Sequence, residues 1–139
     1  MTGFAERWRG HARSLAAFGD SITAGAAASA VAHRWANRLA ARLGVRLDNR
    51  GIGGTVLQAS PDAAGKPRAD NGLGRAARDL LGPDRTDLIA ILYGFNDARY
   101  TAAPASLNHD GFRLEYIALV EPLFAAGYKN ETQVVATVL

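Results

Sequence analysis

The chain has 139 residues, 48% of them hydrophobic and 21% charged, with a formal net charge of +3 and no cysteine. That is long enough for one domain with a real core, and its arginines are scattered rather than clustered, which excludes a nucleic-acid footprint. The missing cysteine excludes disulfides, thiolate metal sites and a thiol nucleophile.

Residues 1–18 carry Glu6, Arg7, Arg9 and Arg13 and lack the sustained apolar core of a secretory leader, so the default expectation is a cytoplasmic protein; within them, residues 1–13 mix Phe4 and Trp8 with charges and are left open as a short helix or a strap against the sheet. The longest weakly polar run, Ala24 to Ala32, is too short to span a bilayer. Ser14–Phe18 is the first predicted strand, and it runs into Gly19-Asp20-Ser21. In an open parallel sheet, the turns after the carboxyl ends of the strands are where ligands and chemistry gather. Gly19 permits a tight turn, Asp20 can hydrogen-bond the turn's own amides, and the following helix start offers unpaired N–H groups beside Ser21. Beyond Gly25, Val31, Trp35 and Leu39 recur every fourth residue, with Ala28, Ala32, Ala36 and Leu43 widening the stripe. This predicts a helix beyond Gly25 that Gly44 closes, with Arg34, Arg38 and Arg42 on its solvated face.

Val45–Asn49 is a second predicted strand, leading into the glycine-rich turn Asn49-Arg50-Gly51-Ile52-Gly53-Gly54-Thr55. From Val56 to Asn71 the chain is polar and loop-like, a length that marks a functional or mobile segment bordering a site. Leu73, Ala76, Ala77, Leu80 and Leu81 mark a short helix, stopped by Gly82-Pro83. Asp87–Tyr93 is nearly all apolar, as a strand covered on both faces should be, and ends in Gly94-Phe95-Asn96-Asp97. Phe95 and Tyr100 are candidates to stack on a sugar ring or line an acyl pocket, or simply to fill the core. A polar loop containing His109 then leads to a helix bearing Phe112, Tyr116, Leu119, Val120 and Leu123, which Pro122 should kink or split. Gln133–Leu139 is a fourth strand, so the order is β-α-β-α-β-α-β, without repeats or a domain boundary. That alternation predicts an α/β sheet with right-handed crossovers.

Three strands thus end in turns with unusual residues, all on one rim of a parallel sheet. Ser21 can attack a carbonyl there. The backbone N–H groups of Ser21 and a glycine, with the Asn96 side-chain amide, can cradle the oxyanion that develops.

These residues together resemble the SGNH/GDSL hydrolase family of esterases and lipases. Phe18-Gly19-Asp20-Ser21 matches its first block, Asn49 to Thr55 its second, and Gly94, Asn96 and Asp97 its third. The resemblance implies a flavodoxin-like three-layer α/β/α fold with a parallel sheet of strand order 2-1-3-4, and a fifth strand that this chain lacks. It implies acylation of Ser21, an oxyanion hole from Gly54 (Gly53 the next match) and Asn96, and supporting roles for Asp20 and Asp97. It implies no metal or cofactor, and a small ester as substrate, acyl or acetylated carbohydrate. No nucleic-acid or membrane partner is expected. The family's fourth block, Asp-x-x-His, supplies the base, and no Asp-x-x-His occurs in these 139 residues. His11 and His33 read as structural, and His109 is the one histidine that could reach the chemistry. The expectation is therefore a single SGNH-hydrolase-like domain, C-terminally incomplete, inactive or weakly active, with an open apolar sheet edge that invites self-association. Two alternatives remain open. One is a non-catalytic α/β module that binds a ligand or partner on this rim. The other is a flavodoxin-like flavin or nucleotide binder in which Ser21, Thr23 and Gly25 cradle a phosphate.

Overall fold

The computed structural model describes residues 10–59, 61, 64–66, 68–100, 109–129 and 134–138. Its four strands are β1 (Ser14–Gly19), β2 (Arg46–Gly51), β3 (Leu88–Tyr93) and β4 (Val134–Val138). They are all parallel and lie in the order β2-β1-β3-β4, the order that the resemblance implies. The helices are α1 (Ser21–Ala24), α2 (Trp35–Leu43), α3 (Gly72–Leu81), α4 (Phe95–Tyr100) and α5 (His109–Ala125).

Strand alternation builds a separate core on each face of the sheet. Ala16 and Phe18 of β1 and Ile89, Ile91 and Tyr93 of β3 face α3 and α5, where Ala76, Leu80, Leu119 and Leu123 meet them. Leu15, Leu88 and Ala90 face the other way, against Ala40 and Leu43 of α2. All six β3 residues are buried, which explains the unbroken apolar run. On α2 the contact positions Ala36 and Ala40 are small, so the helix lies close to the sheet.

The helix expected from just beyond Gly25 is much shorter. Gly25 takes a left-handed φ of 102° and its N–H closes the single turn of α1, ending it. A turn, a short 3₁₀ segment at Val31–His33 and Arg34 as N-cap follow, and only Trp35–Leu43 is α-helical. Val31, expected on the apolar stripe, is 58% exposed. Two further differences concern the chain after β3. Its turn passes into α4, a helix the periodicity does not announce, and Pro122 does not split α5. His109 is the first residue of α5 rather than a loop residue, and its side chain lies outside the described residues. The edge expected at Val134–Leu139 is strand β4 next to β3, with side chains likewise outside the described residues.

At the carboxyl rim, β2 and α1 are packed so closely that Gly51 has no room for a side chain. A Cβ at Gly51 would overlap the backbone of Thr23 and Ala24 in α1, whereas a Cβ at Gly53 meets only Ser21 Cβ, at 3.8 Å. Gly51→Ala must therefore push α1 away from β2, and urea unfolding should show a loss of about 1–3 kcal/mol. Gly53→Ala should stay within about 0.5 kcal/mol of wild type in the same experiment. Equal losses in the two variants would refute this packing argument.

Candidate active site

β1 delivers Gly19 to the rim, and Asp20, still in an extended conformation, caps α1. Its carboxylate accepts from Ile22 N–H at 2.9 Å, and it is 1% exposed. That cap turns Ser21 into the first helical residue, partly buried at the rim. Among the described residues no side chain hydrogen-bonds the Ser21 hydroxyl. The cap has an electrostatic cost. Burial raises the Asp20 carboxyl above its ordinary value, the Ile22 bond opposes that rise, and the nearby Asp97 charge adds to it.

The second turn is tied to the first by Ile52 N–H, which donates to Gly19 C=O at 3.0 Å. Asn49 donates from Nδ2 to Thr23 C=O at 2.8 Å and accepts from Gly51 N–H at 3.0 Å, so its amide seats β2 against α1. Gly53 then stands beside Ser21, and Gly54 follows with a left-handed φ of 79°. Thr55 ends the turn, donating from Oγ1 to Ile52 C=O at 2.8 Å.

The third turn reaches back to the second. Asn96, 3% exposed, donates one Nδ2 hydrogen to Thr55 C=O at 2.8 Å, leaving the other on the same nitrogen. Asp97, 1% exposed, accepts from Leu57 N–H at 2.9 Å and from Gln58 N–H at 3.1 Å. Glu115 of α5 accepts from the next amide, Ala59 N–H, at 2.8 Å. The start of the expected polar loop is thus a pinned, buried segment, with Val56, Leu57 and Gln58 each at most 3% exposed. Phe95 is 46% exposed beside this turn, and the Tyr100 side chain lies outside the described residues.

Ser21, Gly53, Gly54 and Asn96 therefore share one rim, with Asp20 and Asp97 buried beneath it. Among the described residues, no group of three or more His, Asp and Glu side chains could hold a metal, and no helix is long and apolar enough to cross a membrane. Two contributors to the site escape the sequence reading. Arg75 of α3 is 3% exposed and bonds all three strand ends, and Tyr93 links it to Thr55. The only local signal for Arg75 is its i,i+4 spacing to Asp79, which ordinarily marks a surface ion pair.

The profile of the GDSL-like lipase/acylhydrolase family matches residues 17–139. The chain belongs to that family. Solved structures that share this fold include a proposed arylesterase from Agrobacterium tumefaciens, 25% identical, covering 91% of this chain and 62% of its own length, with a TM-score of 0.65. AlinE4, an SGNH-hydrolase family esterase, is 23% identical over 91% of this chain and 58% of its own, with a TM-score of 0.63. A carbohydrate acetylesterase family member from Sinorhizobium meliloti is 21% identical over 91% and 60%, with a TM-score of 0.61. The chain thus spans about 58–62% of the length of these structures. No curated protein matches by sequence.

Asp20→Asn keeps an equally good helix cap while removing the buried charge. Because the folded carboxyl holds its proton more tightly than the unfolded one, wild-type stability should fall relative to Asp20→Asn as pH rises from the ordinary value of 3.8 through the raised one. Melting temperatures of both proteins between roughly pH 4 and pH 7 measure this. A difference that does not change with pH would show that Asp20 carries no such penalty.

Proposed function

We propose that this chain carries the nucleophile and oxyanion hole of a serine ester hydrolase. Ser21 Oγ attacks the ester carbonyl, and the N–H groups of Ser21 and Gly54, with Asn96 Nδ2, receive the negative charge on the carbonyl oxygen. Gly53 is the second choice for the glycine. Collapse of the tetrahedral intermediate expels the alcohol and leaves acyl-Ser21, which water then hydrolyses. Asp20 and Asp97 support this arrangement through the amides they accept from. A small ester, either a simple acyl ester or an acetylated carbohydrate, suits the family and the esterases that share the fold.

The observation that carries this reading is the Gly53–Thr55 turn. One end of it stands against Ser21, and the other accepts the Asn96 amide. A nucleophile and two sources of oxyanion donors thus converge from three strand ends, as acyl transfer requires. A phosphate-binding role for Ser21, Thr23 and Gly25 would give Asn96 no part.

The general base is the component without a candidate motif, since Asp-x-x-His is missing from these residues. A positioned base contributes about 10²–10⁴-fold, so these 139 residues alone should hydrolyse activated esters slowly. The test combines p-nitrophenyl acetate turnover with fluorophosphonate labelling followed by intact mass, on wild type, Ser21→Ala and His109→Ala. Slow labelling at Ser21, lost in Ser21→Ala and kept in His109→Ala, is the expected result. Rapid turnover lost in both variants would make His109 the base. Turnover and labelling unchanged by Ser21→Ala would overturn the nucleophile assignment and leave a binding module.

A further inference from the structure

The geometry points to Arg75 as a positioning residue that holds the three strand-end turns of the site in one arrangement. Its guanidinium does not need to touch substrate to do so. Nη2 donates to Gly19 C=O at 2.9 Å and to Tyr93 Oη at 2.7 Å, while Nη1 donates to Arg50 C=O at 3.0 Å and to Asp79 Oδ2 at 2.6 Å. All four hydrogens on the terminal nitrogens are therefore used. Nε is buried with no partner among the described residues, and Cζ lies 4.0 Å from the Phe18 ring centroid.

The acceptors explain the assignment. Gly19 is followed at once by Asp20 and Ser21, Arg50 by the turn that carries Gly53 and Gly54, and Tyr93 by Gly94 and the helix that carries Asn96. A branch continues past Tyr93. Thr55 Oγ1 gives its hydrogen to Ile52 C=O, so at 3.3 Å from Tyr93 Oη it is the acceptor of the phenol hydrogen. Thr55 C=O in turn receives the Asn96 amide. One planar cation thus reaches β1 and β2 directly, and β3 and the oxyanion side chain through Tyr93.

Only arginine fits the task. Its donors form a rigid fork that can reach acceptors on separate strands, whereas a lysine ammonium is a point donor on a flexible stem. Asp79, one turn along α3, balances the charge. Burial pushes the Asp79 carboxyl up, but hydrogen bonds from Arg78 and Arg75 outweigh that and hold it below its ordinary value. A lysine at position 75 would keep the charge and the Asp79 partner while losing the span.

The effect on acylation rests on the Ser21 assignment above, and the effect on the turns does not, so the test separates them. Backbone hydrogen exchange is measured by mass spectrometry on the full chain as wild type, Arg75→Lys and Tyr93→Phe. In Arg75→Lys, peptides spanning 19–25, 50–57 and 93–97 should exchange together about tenfold faster or more, because bonds from a charged donor are the strong ones. The core of α5 around Leu119 and Leu123 should keep its wild-type exchange. Tyr93→Phe removes Arg75's bond to β3 and the branch to Thr55 but leaves those to Gly19 and Arg50, so it should affect 52–57 and 93–97 and spare 19–25; it also decides the matter if Arg75→Lys fails to fold. In parallel, fluorophosphonate labelling of Ser21 should be about tenfold slower in Arg75→Lys at saturating reagent, with the half-saturating concentration unchanged. Faster exchange confined to α3, or spread evenly over the chain, would overturn the proposal, as would unchanged turns. Absence of Ser21 labelling in wild type would count against the nucleophile while the exchange pattern still decides the role of Arg75.

Discussion

A positive charge sits inside this domain, under the rim where the three turns meet. Removing the Arg75 guanidinium from water costs far more than a single hydrogen bond returns, so its burial is tolerable only with a counter-charge and several acceptors. Asp79 supplies the counter-charge, and two strand-end carbonyls and the Tyr93 phenol supply the remaining acceptors. The Phe18 and Tyr93 rings pack edge to face at 5.6 Å, and the guanidinium lies over Phe18. Burial raises the Tyr93 phenol above its ordinary value against the pull of the Arg75 charge, so the phenol stays a neutral donor toward Thr55. A single side chain bonds the Gly19 and Arg50 carbonyls at the carboxyl rim and ties β1 to β2.

Around that point the packing is tight in a way that small residues permit. Gly19 and Gly51 lie so close to α1 and β3 that no side chain fits, and Ala36 and Ala40 bring α2 down on the opposite face. The same closeness sets Ser21 beside the Gly53 turn. Asp97 and Glu115 add a second layer of restraint, receiving three successive amides from Leu57 to Ala59. The buried Asp97 carboxylate accepts from backbone N–H groups that would otherwise be unsatisfied in a buried loop. The opposite rim is closed by similar means: Asp87 accepts from Arg13 N–H, Ser14 N–H and the Ser14 hydroxyl, and Thr86 bridges Ala16 N–H and Leu88 C=O.

Membership of the GDSL-like lipase/acylhydrolase family and this rim belong together physically. Acyl transfer needs a nucleophile and donors already aimed where negative charge will develop, which favours turns held by their own hydrogen bonds over mobile loops. Asn96 illustrates the point. One of its amide hydrogens is committed to Thr55, which fixes the orientation of the other. The turns that carry Ser21, Gly53 and Asn96 are held to one another by bonds of this kind.

The sequence by itself determined the α/β alternation, the strands within a residue or two, and the three rim turns, because each of these is written in neighbouring residues. An apolar run, a period of two, and a glycine beside a serine or asparagine carry their meaning locally. Where one local signal competed with another, the tertiary structure decided. The stripe from Ala28 to Leu43 has helical period throughout, yet Gly25 stops α1, the extended Ala30 and Arg34 interrupt the run, and only Trp35–Leu43 has the sheet beneath it as a helix. Leu57 reads as part of a polar loop until Asp97, forty residues later, supplies the acceptor that lets its N–H be buried. Arg75 reads as a surface cation because its partners Gly19, Arg50 and Tyr93 lie 56, 25 and 18 residues away. Period and turn chemistry act over a few residues, whereas a buried polar group is defined by partners that only the closed sheet brings within 3 Å.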